Sequence, residues 1–129
     1  MDAVRVAEGF WPTGFQVNGG SYVPPMRQAI DLAVAVVFSV DIHDLRATKR
    51  GSPRAAFARQ VSMYLAHVGC GLSLTDVGIL FARDRSTVAH ACCVVEDRRD
   101  DPEFDSRLDH LERAIVSMVK ALSWRRGVR

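Results

Sequence analysis

Long apolar runs are missing from this chain. Stretches such as Ala33 to Phe38 fall far short of the roughly 20 residues that a bilayer-crossing helix needs, so no membrane partner is expected. Charged Asp2, Arg5 and Glu8 precede any hydrophobic stretch, which is not the form of a secretory signal, and a cytoplasmic location is expected. Cysteine is limited to three residues, two of them adjacent (Cys92 and Cys93), which suits a reducing compartment and argues against a disulfide framework. No Gly-x-x-x-x-Gly-Lys-[Ser/Thr] loop is present, so no nucleotide is expected to bind and an ATPase domain has no room. None of the four histidines sits in a nucleophile motif, and no paired carboxylates mark a pocket; neither enzymatic activity nor a cofactor is expected. His67-x-x-Cys70 and His90-x-x-Cys93 have zinc-ligand residue types. The plainer reading places Cys92 in the core, Cys93 on the surface and Cys70, between two glycines, beyond a helix end, with no metal bound.

What is present fits one domain. A chain of 129 residues with 48% hydrophobic and 25% charged residues can bury a useful core without crosslinks. The net charge of +2 carries little meaning, but its distribution does. Between Asp44 and His90 stand seven basic residues (Arg46, Lys49, Arg50, Arg54, Arg59, Arg83, Arg85) against three acidic ones (Asp44, Asp76, Asp84). The remainder therefore carries a net minus two. A basic centre between neutral or acidic ends suits a surface that faces DNA. Lysine accounts for only 2 of the 17 basic residues, and arginine favours bidentate contacts with phosphate or guanine, although genomic composition produces the same bias.

The chain is organised around residues 72–93. Ser73 is placed to cap a helix with Asp76 answering it three residues on, and Leu74, Val77 and Phe81 share one face. A charged turn, Ala82-Arg83-Asp84-Arg85, leads to a second helix capped by Asp84 that buries Val88, Ala91, Cys92 and Val95. At about 100° per residue, Ser86, Ala89, His90, Cys93 and Asp97 fall on the opposite face. Two helices joined by a tight turn, with small polar residues opening the second, match what a helix entering the major groove requires.

At these residues the chain resembles a known family. Ala58-Arg59-Gln60-Val61-Ser62-Met63-Tyr64-Leu65-Ala66, followed by Leu72 to Phe81 and by Arg83-Asp84-Arg85-Ser86-Thr87-Val88-Ala89-His90-Ala91, is similar to the C-terminal DNA-binding domain of the bacterial replication initiator DnaA. The likeness extends from about Ala29 to about Val95. It departs at two points: only Ala82 stands where the family has a Gly-Gly-like pair, and Arg85 stands in place of a histidine. The resemblance implies an all-α, tryptophan-repressor-like fold of five to six helices with a helix-turn-helix, and double-stranded DNA as the partner. It also implies roles: Arg59 and Gln60 on phosphate, a loop arginine in the minor groove (Arg50 first, with Lys49 and Arg54 behind it), and Arg83, Asp84, Arg85, Ser86, Thr87 and His90 at the major groove.

Three segments follow. Residues 1–25 are glycine- and proline-rich, carry Phe10, Trp11, Phe15 and Tyr22, and are expected to be irregular, packing loosely on their own domain or docking on a partner. The DNA-binding unit spans 26–101. It opens with a helix to about Ser39 marked by Met26, Ile30, Val34, Val37 and Phe38. A turn or short helix at 41–45 and a basic loop at 46–54 follow; taken alone, such a loop is a solvated connector. Next comes a helix from Ala55 to Val68 with Phe57, Val61, Tyr64, Leu65 and Val68 inward and Arg59 outward. The charge run Glu96 to Asp101 has the composition of a solvated helix end. Residues 102–129 form a long helix whose seam is Phe104, Leu108, Leu111, Ile115, Met118 and Leu122. At about 1.5 Å per residue it exceeds what the core needs, and the surplus either supports a homodimer or lies over the aromatic N-terminal segment. The function expected is a nucleoid-associated, sequence-specific DNA reader that regulates transcription or modulates a replication origin. The alternative is a protein-interaction adaptor using the C-terminal helix and the aromatic N-terminal segment.

Overall fold

Six α-helices and no strand occur among the residues that the computed structural model describes, which are 24–49 and 51–127, with side chains as far as 121. Expectations that fall on residues 1–23, on Arg50 and on the Leu122 side chain lie outside these. The all-α class expected from the sequence is the one observed.

Helix α1, Pro25–Phe38, begins on a proline whose fixed φ suits the first turn and whose missing N–H costs nothing there. It closes at Ser39, which adopts a left-handed conformation (φ 53°), and the Val40 amide returns to the Ala35 carbonyl at 3.0 Å. Met26, Ile30 and Val34 are buried, whereas Val37, counted in the sequence stripe, is turned to solvent. Helix α2, Ile42–Arg46, is capped by Asp41, whose carboxylate accepts from the His43 amide at 2.8 Å, and anchors itself through Leu45. Helix α3, Pro53–Tyr64, starts at Ser52, whose Oγ accepts from the Ala55 amide at 3.1 Å.

The sequence predicts α3 as one helix to Val68, but the ladder widens after Tyr64 into a π turn, Leu65–Gly69, with the Cys70 amide bonded to the Leu65 carbonyl at 3.0 Å. A wider turn advances less per residue, so Val68 swings off the buried face and is exposed. Gly69 sits where a Cβ would lie 3.2 Å from Glu112 Cγ, so the lack of a side chain lets the C-terminal helix come close. Helices α4 (Leu74–Phe81) and α5 (Arg85–Arg98) form the helix-turn-helix, and α6 runs from Pro102 to Gly127, about 39 Å at 1.5 Å per residue.

The core forms where α3 and its π turn pass between α1, α5 and α6: Ala58, Val61, Leu65 and Ala66 are fully buried, together with Ile30, Val34, Val88, Val95, Leu108 and Ile115. Phe38, Phe57 and Phe104, one from each of α1, α3 and α6, meet with centroids 5.6–6.3 Å apart. Along α6 the buried residue after Ile115 is Val119, while Met118 is 44% exposed. A straight helix drifts off a strict alternation of four and three, so the inward stripe steps by four at that point.

The charge run at the end of α5 is not merely a solvated helix end. Tyr64 donates its hydroxyl to Glu96 at 2.8 Å and accepts from Arg99 at 2.9 Å, while Arg99 also pairs with Asp105 and lies 3.7 Å from Glu112. These bonds join α3, α5 and α6.

Candidate nucleic-acid interface

The turn between α4 and α5 is built from its backbone outward. Ser73 Oγ accepts from the Asp76 amide at 3.0 Å, as a helix start requires. The reciprocal half of the box expected from Asp76 is absent, and Asp76 Oδ2 is buried without a partner; Asp is one methylene shorter than the usual Glu. Ala82 takes the left-handed conformation (φ 55°) that ends α4, and the Arg83 amide bonds the Gly78 carbonyl at 2.9 Å. Gly78, which the sequence reading passed over, makes that approach possible: a Cβ there would lie 2.7 Å from the Arg83 carbonyl oxygen. Helix α5 then opens with Asp84 in extended conformation; its carbonyl accepts from the Val88 amide, but its side chain makes no capping bond, against expectation.

Of the face expected from helical spacing, Ser86, His90, Cys93 and Asp97 are exposed and Ala89 is half-buried; Asp84, Arg85 and Thr87 at the start of α5 are exposed as well. Val88, Ala91 and Val95 hold α5 to the core, while Cys92, expected inside, is only half-buried. Thr87 and Arg83 line two shallow depressions at once. One runs along the turn with Thr75, Ile79 and Asp84; the other leads toward α3 with Thr48, Gln60 and His90.

Arginines brace this surface from within. Arg59 corrects the sequence reading: instead of pointing away from the apolar stripe it is 8% exposed, donating from Nε to the Leu45 carbonyl and from Nη2 to the Asp44 carbonyl, each at 2.9 Å. At the end of so short a helix the Asp44 carbonyl has the Ala47 amide at 3.3 Å, and a long, planar donor from α3 reaches both this carbonyl and that of Leu45. Arg83 donates to the Ala47 carbonyl at 3.2 Å and so ties the helix-turn-helix to the basic loop. Ser52 caps α3 at the far side of the loop, and Thr48 lines one depression together with Thr87 of α5. Lys49 is exposed and Gln60 is half-buried, whereas Arg54, also exposed, lines a separate depression with Phe38, Phe104 and Arg107.

A second brace combines a pair at helical i,i+4 spacing, not singled out from the sequence, with a partner from another helix. Asp31, 1% exposed, accepts from Arg27 at 3.1 Å and from Arg46 at 3.0 Å, while Arg27 also donates to the Leu80 carbonyl at 3.2 Å and lies 4.8 Å over the Phe81 ring. One carboxylate thus joins α1 and α2, and its partner Arg27 caps the last turn of α4. Burial lowers the guanidinium pKa of Arg59, and the charges of Arg83 and Arg27 lower it further. Those groups share one positive field beneath the surface.

Of the two His-x-x-Cys pairs, His67 spends its Nδ1 on the Leu72 carbonyl at 2.6 Å, and Cys70 is buried while Cys93 is exposed. No cluster of three or more potential metal-ligating side chains occurs among the described residues. No helix among them is long and apolar enough to cross a membrane.

Comparisons with known proteins fall on the same residues. The chromosomal replication initiator protein DnaA of Lachnoclostridium phytofermentans is 38% identical over 91 residues, covering 67% of this chain and 20% of that protein. DnaA 2 of Chlamydia muridarum is 41% identical over 79 residues, covering 57% of this chain and 17% of the relative. The chain therefore spans about a fifth of the length of these relatives. A crystal structure of a DNA replication initiation factor matches with a TM-score of 0.59 and 28% identity, over 73% of this chain and 30% of that one. The model of the bacterial DnaA protein helix-turn-helix matches residues 28–95, more than half of the chain, and runs from within α1 to the end of the α5 core stripe. The chain belongs to the bacterial DnaA helix-turn-helix family.

Proposed function

We propose that this protein binds double-stranded DNA sequence-specifically through α5 and the basic loop, as a regulator acting at initiator-like sites in a replication origin or in promoters. The observation that carries the reading is the exposed opening of α5 beside a loop that Arg83 ties to it. A helix presenting Arg85, Ser86 and Thr87 at its N-terminus lets the backbone come close to base edges in the major groove. Arg85 bonds guanine with two donors, and Asp84 accepts from cytosine N4. His90, one turn on, meets a base or phosphate. Lys49, Arg50 and Arg54 follow the backbone into the neighbouring minor groove, and Gln60 sets register on phosphate. Arg59 and Arg83 serve by holding the loop. ATP is not required for any of these contacts.

The homodimer expected of the C-terminal helix finds support in the exposure of Met118 alone. The adaptor reading has no specific observation in its favour at the helix-turn-helix.

Selection of bound sites from random duplexes tests the proposal, and two variants test its mechanism. Arg85→Ala is expected to cost about 1–3 kcal/mol on the selected site, to relax choice at one or two base pairs, and to leave unrelated DNA nearly unaffected. Lys49→Ala is expected to weaken all sequences alike and to reduce the salt slope by about one. Circular dichroism first establishes that both variants fold. An equal loss on specific and random duplexes for Arg85→Ala makes the turn a phosphate clamp, and a chain with no salt-dependent duplex binding removes the proposal.

A further inference from the structure

Single apolar side chains on a surface are ordinary, so their position decides what they mean. Of the large apolar residues left well exposed among those described, Leu32, Val36, Val37 and Met118 gather between α1 and α6, and Val68 lies on the π turn. Ile79, 45% exposed on α4, stands elsewhere. It lines the depression of about 620 Å³ along the turn, together with Thr75, Arg83, Asp84, Arg85 and Thr87. Each of these neighbours is polar or charged, and Arg85 and Thr87 belong to the exposed opening of α5. The other residues of that depression, Gly78 and Ala82, are too small to screen Ile79 from a group that enters it.

An isoleucine in that position has one chemical complement on duplex DNA. Base edges in the major groove present donors and acceptors, and a single kind of apolar group, the C5-methyl of thymine. Covering a large apolar side chain with that methyl takes both out of water, whereas no donor or acceptor on a base edge gains from meeting it. The depression that Ile79 shares with Arg85 and Thr87 brings the first helix of the motif to the rim of the surface presented by the second. Base pairs stack about 3.4 Å apart, so side chains lining one depression address neighbouring pairs. We infer that Ile79 packs on the methyl group of a thymine next to the base pair read by Arg85, so that α4 as well as α5 sets the target sequence. This role rests on the reading of α5 proposed above and adds to it a contact that no hydrogen bond supplies.

The test compares sites selected from random duplexes by the full chain and by Ile79→Ala, with circular dichroism showing that the variant folds; Ile79→Gln serves in its place should helicity fall. The parent is expected to require thymine at one position beside the guanine whose choice Arg85→Ala relaxes, and Ile79→Ala is expected to lose that requirement alone. Replacing this thymine by deoxyuridine deletes only the C5-methyl. One methyl group taken out of water is worth about fourfold in affinity, so the parent is expected to bind the deoxyuridine duplex about fourfold more weakly and Ile79→Ala to bind both duplexes alike. Thr75→Ser and Thr87→Ser, which remove two other methyl groups from the depression, are expected to keep the deoxyuridine effect. A parent that selects a sequence but is indifferent to deoxyuridine at every thymine overturns the inference while leaving base reading by α5 intact. A deoxyuridine effect that survives Ile79→Ala, or that disappears in either serine variant, gives the methyl to another side chain and overturns it as well. Absence of any selected sequence removes the reading of α5 and this contact with it.

Discussion

Arg59 does its work inside the protein, and this changes what its removal should do. Taking away the buried guanidinium leaves the Leu45 carbonyl without its donor, at about 1–3 kcal/mol, while the Asp44 carbonyl keeps the Ala47 amide at 3.3 Å. Arg59→Ala is therefore expected to lower stability by about 1–3 kcal/mol in urea unfolding, with the salt slope of duplex binding unchanged for the folded protein. A variant of full stability whose salt slope falls by about one would return Arg59 to the phosphate role that the family resemblance implies. The inward turn was not legible from periodicity. Residue 59 flanks the apolar stripe of α3, and an arginine there looks solvated until α2, fourteen residues earlier, is laid across it. Asp31 stands on the buried side of α1, where Arg27, one turn earlier on the same helix, and Arg46 from α2 together compensate its charge; only the second partner was hidden from the sequence.

The α4–α5 turn carries a cost that a single substitution should relieve. Ala82 holds φ at 55°, a conformation about 1–2 kcal/mol unfavourable for a residue with a Cβ. Glycine removes that penalty but adds roughly 0.4–1 kcal/mol of chain entropy to the unfolded state, so Ala82→Gly is expected to raise stability by at most about 1 kcal/mol. Chemical denaturation measures this, and a clear loss of stability would mean that the Ala82 methyl makes contacts outweighing the strain. Gly78 works in the opposite sense, since any side chain there meets the Arg83 carbonyl. Both helices of the motif were legible from residue types, through the Ser73 cap and the buried Val77, Phe81, Val88, Ala91 and Val95, although Asp84 makes no side-chain cap and Cys92 is only half-buried. The π turn after α3 was not, because nothing in Leu65 to Gly69 distinguishes a widened turn from an ordinary helix end.

The core joins these elements into one body, and the cysteines report on it. Cys70 is buried, and its thiol is pushed up to about 12, first by desolvation and then by Glu112. Cys92 is pushed up to about 11, by partial burial and then by Cys93 and Glu96, while Cys93 is exposed. Because only the thiolate reacts, native protein at pH 8 is expected to be alkylated first at Cys93, with Cys70 labelled only as the molecule unfolds. The free energy of opening obtained from Cys70 labelling in low denaturant should equal that of global unfolding. A smaller value would make the π turn a region that opens by itself. The sign of the pH effect follows from the raised pKa: stability contributed by a protonated Cys70 is intact below pH 9 and declines as pH rises from there toward 12.

Helix existence, the helix-turn-helix and the exposure of Ser86, His90, Cys93 and Asp97 on the outer face of α5 were written in local order, because caps act within four residues and an amphipathic period repeats within one turn. So was the basic centre, which is a count of charges along the chain. The direction of Arg59, the pairing of Asp31 with Arg46, the bond from Arg83 to Ala47, and the replacement of Met118 by Val119 in the buried seam needed the packed chain. Each depends on partners supplied by another helix, or on how a helix axis settles against its neighbours, and a one-dimensional period carries no information about distances between segments.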